Sequence, residues 1–231
     1  MLRDEGRRFR FTNLKISIAI VNFNREKYLR RAIRSAQNQI RLGFDIEILF
    51  IDDNSTDNSR SLIDEFNKST KTRFLHENKG VGNASQVALE MAQGDYFLRL
   101  DSDDFLSPIS CLTLFTALEA RVDYQFAYGD HYRVDDRETR TSLVELDSFE
   151  KVTKHGAGIM FRTEILRDVG GYDSSLRFGE DADLIYRLVK KGYRGLYVPL
   201  PLYRYHIHGE NLSLNPKQEK SQNELRKKYE I

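Results

Sequence analysis

The chain has 231 residues, with 36 Lys plus Arg against 35 Asp plus Glu and a formal charge of +1; that is long enough for one large α/β domain and too balanced for a general pull toward nucleic acid. The single cysteine, Cys111, excludes an internal disulfide framework and suits a reducing compartment. MLRDEGRRFRFTN at the amino end lacks a signal-peptide apolar stretch, and the longest apolar run, Ile16 to Val21, is far too short to cross a bilayer, so a cytoplasmic protein is expected.

Residues 16–21, ISIAIV, predict a strand, and Leu29, Ala32, Ile33 and Ala36 recur at helical spacing through NFNREKYLRRAIRSAQNQ. DIEILFI predicts a second strand, followed by a helix with Leu62, Ile63 and Phe66 on one face. TRFLHE predicts a third strand and VGNASQVALEMAQ a helix presenting Val87, Ala88 and Met91, stopped by Gly94. DYFLRL is the fourth strand; Ser107 and Pro108 are placed as cap and first turn of a helix toward Ala120, with Cys111 as a core residue. This alternation argues for a mostly parallel sheet with right-handed crossovers. Beyond it, YQFAYGDHYRV predicts a strand entering a polar hairpin or loop, GAGIMF a short strand, and Thr163 the cap of a brief helix ending at Gly170 and Gly171. EDADLIYRLVKKGY predicts an amphipathic helix with Leu184, Ile185, Leu188 and Val189 inward and Gly192 at its end. GLYVP and LYRYHIH predict two further strands, and Asn215 to Ile231 an exposed helix or tail.

In parallel α/β sheets, ligands bind at the carboxyl ends of the strands. Polar clusters fall at that edge after each of the first four strands: Asn22 and Asn24, then Asp52 to Asn54, then His76, Asn78 and Gly80, then Asp101, Asp103 and Asp104. Each has a plainer reading. DDNSTDNS can cap a helix; as a calcium loop begun at Asp53 it has Asn58 and Asp64 where glycine and glutamate are required. NKGVGNAS can be a turn or an anion-binding helix start, and the turn is the better reading of it alone. In LRLDSDDFLSP the period of two aims Asp101 and Asp103 at one side and Ser102 away. Two converging carboxylates make a hard-oxygen site for Mg²⁺ or Mn²⁺ with positions left for waters and phosphates.

The ordered set SIAIVNFNREKYLRRAIRSAQNQ, DIEILFIDDNSTDNS, NKGVGNAS, GDYFLRLDSDDFLSP and VGGYDSSLRFGEDADLIYRLVKKGY resembles family 2 glycosyltransferases, the inverting group with the GT-A fold, from about Lys15 to about Ser213. The resemblance implies a single α/β GT-A-type domain: a mostly parallel sheet flanked by helices, with a Rossmann-like nucleotide-sugar half over about 15–104, a smaller mixed acceptor half over about 105–213, and an exposed helix or tail over 214–231. It implies that Val21, Asn22, Phe23, Gly82, Asn83 and Ser102 line the nucleotide pocket, that Asp53 accepts a hydrogen bond from the base, and that Asp103 ligates a divalent metal with Asp101 near the ribose or metal. Asp181 matches the general base, with Glu180 beside it. Arg204 and His208 resemble a late motif approaching the metal or diphosphate, with His206 as an alternative register. The family often carries an arginine where this chain has Ser85, which leaves the base preference open; a UDP-sugar is favoured.

The expected reaction moves a sugar from a nucleoside diphosphate to a hydroxyl of a glycan or lipid-linked acceptor, with acceptor contacts from Asp130 to Gly158. Asp181 can equally be a helix-capping acid, and its place at a helix start is expected to lower its pKa. Two other readings stand beside this one: a sugar-phosphate nucleotidyltransferase, which should carry a Gly-rich basic loop where this chain has VNFNREKYL, and a catalytically degenerate nucleotide-binding domain. No nucleic-acid partner is expected. Arg3, Arg7, Arg8 and Arg10 offer a peripheral contact with anionic lipid, against the plainer reading of a solvated tail.

Overall fold

Along β1 (Lys15–Asn22), Ile16, Ile18 and Ile20 face one side of the sheet and Ala19 and Val21 the other, and all five are buried. A strand covered on both faces needs apolar residues at every position, hence the unbroken run ISIAIV with only Ser17 as an exception. The structure, a computed structural model, describes residues 14–66 and 68–229; the basic residues Arg3, Arg7, Arg8 and Arg10 lie outside the described residues.

The chain continues through α1 (Glu26–Gln37), β2 (Asp45–Asp52), α2 (Ser59–Asp64), β3 (Lys71–Phe74), α3 (Val81–Met91) and β4 (Tyr96–Asp101). After these come β5 (Phe105–Leu106), α4 (Ser110–Ala120), β6 (Phe126–Val134), its hairpin partner β7 (Arg140–Val144), α5 (Phe149–Thr153), β8 (Met160–Arg162) and α6 (Thr163–Asp168). α7 (Glu180–Lys190), β9 (Gly195–His206), a 3-10 turn (Leu212–Leu214) and α8 (Pro216–Tyr229) complete it. The strand order is β3-β2-β1-β4-β8-β6-β9-β5, with β7 on β6. The first four strands pair in parallel; β8 runs antiparallel to both β4 and β6, so the second half is mixed. This is the expected α/β architecture.

Helices cover both faces. α1 packs Leu29, Ala32, Ile33 and Ala36, the expected stripe, against Ile16, Ile18 and Ile20, beside Cys111, Leu114 and Phe115 of α4. α3, α6 and α7 cover the opposite face. The chain leaves β1 toward β2 on one side and returns to β4 on the other, so the strand order reverses between β1 and β4 and a crevice opens beyond their carboxyl ends.

Several local expectations change. Gly94 does not stop α3, which ends at Met91; it lies against β1, where a Cβ would meet the Ser17 amide nitrogen and Oγ at 2.6 Å. Ser107 does not cap α4 with its side chain. Its carbonyl accepts the Ser110 amide at 3.0 Å, while Gln39 Oε1 takes the Cys111 amide at 2.9 Å. The Thr163 hydroxyl donates to the Gly94 carbonyl at 2.7 Å instead of capping α6. Val189 is 37% exposed, outside the buried stripe of α7. The two late strands are one, β9, whose pairing with β6 shifts register beside Pro199 and Pro201. α8 is a helix, but a docked one: the Lys228 ammonium and Tyr229 hydroxyl donate to Asp183 Oδ1 at 3.2 and 2.7 Å, and Leu225 is buried.

Candidate active site

The crevice is a cleft of about 310 Å³ in which Asp53, Asp103 and Asp181, brought from three separate segments, share one wall system. That size falls within the range of small-ligand sites.

Its first rim is stitched between the ends of β1 and β2. Asn22 Nδ2 donates to Asp52 Oδ1 at 2.8 Å and to Ser55 Oγ at 3.1 Å. Asn24 has a left-handed φ of 52°, held by its amide on Ser55 Oγ and by the Thr56 amide on its Oδ1. Asp57 accepts the first amides of both α1 and α2, from Glu26 and Ser59, so most of DDNSTDNS does structural work. Asp53 is different: it faces the cleft, and its oxygens accept the Lys79 and Gly80 amides at 3.0 and 2.7 Å. The anion held by the loop before α3 is therefore Asp53 itself. Burial raises its carboxyl above the ordinary value against the pull of those amides.

The three aspartates after β4 take three different partners. The strand ends at Asp101, and the Asp104 amide closes a turn on the Asp101 carbonyl at 3.1 Å, so the period of two does not extend to Asp103. Asp101 pairs with Arg99 Nε at 3.1 Å. Burial pushes its carboxyl up to about 6 against Arg99, with Asp103 and Glu180 adding to the rise. Asp103 Oδ2 meets Arg25 Nε at 3.1 Å and His208 Nε2 at 2.9 Å. Burial opposes its charge, but His208 and Arg25 outweigh that and hold it below the ordinary carboxylate value. Asp104 is fully enclosed, accepting the Tyr203 hydroxyl at 2.8 Å and the His206 amide at 2.7 Å, and fastens the turn to β9.

Arg99 organises the opposite wall. It is 3% exposed and meets three carboxylates: Asp101, Glu180 Oε1 at 2.9 Å and Asp181 Oδ2 at 2.7 Å. One guanidinium faces three acids, so burial, then Glu180 and Asp101, carry Asp181 well above the usual carboxylate range although Arg99 opposes them. The expectation that the helix start lowers its pKa is thus corrected: desolvation and like charge exceed the dipole. Asp181 lies over Gly156, where a Cβ would stand 1.9 Å from its Cγ.

Val21, Asn22, Phe23, Asp53, Asp101, Ser102, Asp103, Glu180 and Asp181 all line the cleft. Gly82 and Asn83 do not; Gly80, Val81 and Ala84 line it instead. Gly82 is a packing glycine, since a Cβ there would meet the Leu176 and Asp173 carbonyls at 2.5 and 2.7 Å. Arg204 is also absent from the cleft. The β9 register turns it away, its guanidinium 5.0 Å over the Tyr132 ring and donating to the Pro201 carbonyl. Neither histidine lines the cleft: His208 lies behind its wall and reaches Asp103, and His206 is enclosed between Tyr28 and Asp136. Sequence reasoning missed Arg25, Arg99 and Gly156.

Among the described residues no three His, Cys, Asp or Glu side chains form a closed metal cage. Mg²⁺ and Mn²⁺ do not require one; they commonly take one or two protein ligands and fill the rest with water and phosphate. Asp103 Oδ2 and His208 Nε2 stand 2.9 Å apart, close to the roughly 3 Å between adjacent ligands of an octahedral ion with bonds of about 2.1 Å. The residues present fit such an ion.

The family model described as Glycosyl transferase family 2 matches residues 17–178. Chondroitin synthase of Escherichia coli is 29% identical over 216 residues, covering 86% of this chain and 30% of that protein. Abequosyltransferase RfbV of Salmonella typhimurium is 31% identical over 135 residues, 57% of this chain and 38% of the other. The crystal structure of S. aureus TarS in complex with UDP-GlcNAc superposes with a TM-score of 0.76 at 21% identity, covering 94% of this chain and 65% of that one. The chain therefore spans 30% of the first relative and 65% of the solved structure.

Proposed function

The chain belongs to glycosyl transferase family 2, and from that premise we propose that it transfers a sugar, with inversion, from a nucleoside-diphosphate sugar to an acceptor hydroxyl in the cleft just described. The observation that carries this reading is the shared cleft of Asp53, Asp103 and Asp181. A UDP-sugar donor is supported by the place of Asp53 and Phe23 on the cleft wall and by the UDP-GlcNAc complex of TarS. A glycan acceptor is supported by one relative's name, chondroitin synthase. The domain division at about 104 and 213 belongs to the same reading, with α8 reaching the cleft through Gln218.

In this account Val21, Asn22 and Phe23 form one wall of the nucleotide pocket and Asp53, pinned by two amides, accepts from the base. Asp103 and His208 would hold a divalent ion, which when bound stabilises charge on the leaving diphosphate. Asp181 takes the acceptor proton as the new C1–O bond forms and the bond to the phosphate oxygen breaks, its electron pair leaving with the diphosphate. A raised pKa strengthens a carboxylate as a base only while it stays ionised, which its ion pair with Arg99 favours. Arg99 limits that rise and fixes the carboxylate's position.

The test is a panel of UDP-, GDP- and dTDP-sugars with Mn²⁺, followed by release of the nucleoside diphosphate. The UDP-sugars are expected to turn over, and Asp181→Asn to lose at least about a hundredfold in rate, the scale of a general base. Normal turnover by Asp181→Asn would remove the assigned role, and release of pyrophosphate from an NTP and a sugar phosphate would point to nucleotidyl transfer.

A further inference from the structure

Arg25 has no part in the reaction as so far drawn, yet it is anchored at its centre. Its Nε donates to Asp103 Oδ2 at 3.1 Å, Nη1 to the Asn24 carbonyl and Glu210 Oε2 at 3.1 Å each, and Nη2 to the Glu210 carbonyl at 2.9 Å. The side chain is 16% exposed and lines the cleft. Asp103 Oδ2 is thus shared between two neighbours, Arg25 and His208. They differ chemically. A neutral imidazole offers a lone pair and can turn from partner of the carboxylate into fellow ligand of a metal. A guanidinium has five N–H donors and no acceptor, so it cannot share an ion with Asp103 and can only leave.

We propose that Arg25 is the resident cation of this site, occupying the open side of Asp103 in competition with a divalent ion and passing to the donor's diphosphate when that ion binds. The inference rests on the assignment of Asp103 as metal ligand and deepens it. Before the ion arrives, Arg25 offsets the carboxylate charge; afterwards two cations beside one carboxylate repel each other, and the departing guanidinium needs an anion. A diphosphate in the cleft supplies oxygens that accept its planar fork. Nucleotide and ion then strengthen each other's binding by more than their direct contact alone, because each relieves the displacement of Arg25. The other reading, a strut joining the loop before α1 to the segment after β9, rests on the same hydrogen bonds but gives the guanidinium charge no part in ion binding.

The test titrates Mn²⁺ alone, followed by loss of the free-ion EPR signal, and repeats it with UDP, on the full chain and on Arg25→Gln, Arg25→Lys and Asp103→Asn. Arg25→Gln is expected to bind Mn²⁺ alone about tenfold more tightly than the parent, since a neighbouring positive charge is gone. The mutual enhancement between Mn²⁺ and UDP is expected to shrink by about the same factor. Arg25→Lys, which keeps the charge and loses the fork, stays near the parent in Mn²⁺ alone. Arg25→Met, which keeps the stem without charge, must repeat the gain and serves if the glutamine variant does not fold. Loss of Mn²⁺ binding in Asp103→Asn with no gain in Arg25→Gln or Arg25→Met overturns this inference and spares the metal assignment. Parent-like Mn²⁺ binding in Asp103→Asn overturns both.

Discussion

Replacing Arg99 with Met leaves Asp101, Glu180 and Asp181 facing one another without their cation. Breaking a buried ion pair costs about 3–5 kcal/mol, so the urea midpoint of Arg99→Met should fall by that equivalent. Arg99→Lys should recover part of the stability but little turnover, because an ammonium cannot present a fork to two carboxylates. Gly156→Ala acts on the same carboxylate from the other side. A Cβ there displaces Asp181, and turnover should fall about a hundredfold, as for loss of a general base, while UDP affinity stays within twofold by titration calorimetry. His131, stacked on the cleft-lining His155, gives a pH signature of its own. Burial, with Arg133, lowers its pKa from 6.5 to about 4, so the unfolded chain takes up the proton first as pH falls. His131 thus contributes stability that is fully present above about 6.5 and is lost toward 4, by on the order of 3 kcal/mol; His131→Gln should make the urea midpoint less steep over that interval, the buried His155 beside it keeping its own share. At this scale the sequence was readable for position, as with Asp53 and Asp181, which both line the cleft. Arg99 was hidden because a lone arginine in LRLD passes for an exposed strand residue. The available signal was its place in a strand whose neighbours on both sides are apolar, where a charge requires a partner. Ser85, the missing arginine of the resemblance, is fully buried with its Oγ 3.4 Å from Arg99 Nη1, and its small side chain leaves that room.

At the scale of elements, periodicity located the first four strands and their helices because each presents a clean apolar face to the sheet. It was less informative where a second contact decides the geometry. The β9 register depends on two prolines that interrupt its pairing with β6, and that shift, invisible in LYRYHIH, sends Arg204 away from the cleft. The polar composition of Asn215 to Ile231 similarly concealed a docked helix, since one leucine and one tyrosine supply its anchor. Leu225 packs against Ala182 and Tyr186 of α7, beside Gly179. Leu225→Ala should therefore cost about 2–3 kcal/mol, at the lower end for truncating a buried leucine, measured by urea unfolding. Because α7 begins with Glu180 and Asp181, the same variant should also slow turnover; an unchanged rate would uncouple α8 from the cleft.

Over the whole molecule, what brings distant residues together is the reversal of strand order between β1 and β4, with β8, β6 and β9 closing the far side. Alternating strands and helices made the parallel half legible, and the four polar clusters marked its working edge. The mixed half was not, because short strands such as Met160–Arg162 carry too few residues to show a period. Among the described residues no helix is long and apolar enough to cross a membrane. In the proposed reaction the labour is divided within one cleft, with Asp103 serving ion and diphosphate and Asp181 serving only the acceptor proton. Calorimetric titration of UDP with and without Mn²⁺, on Asp103→Asn and Asp181→Asn side by side, separates the two roles. Asp103→Asn should lose the Mn²⁺-dependent gain in UDP affinity while Asp181→Asn keeps it in full; the same loss in both variants, or in neither, would show that the two roles are not divided.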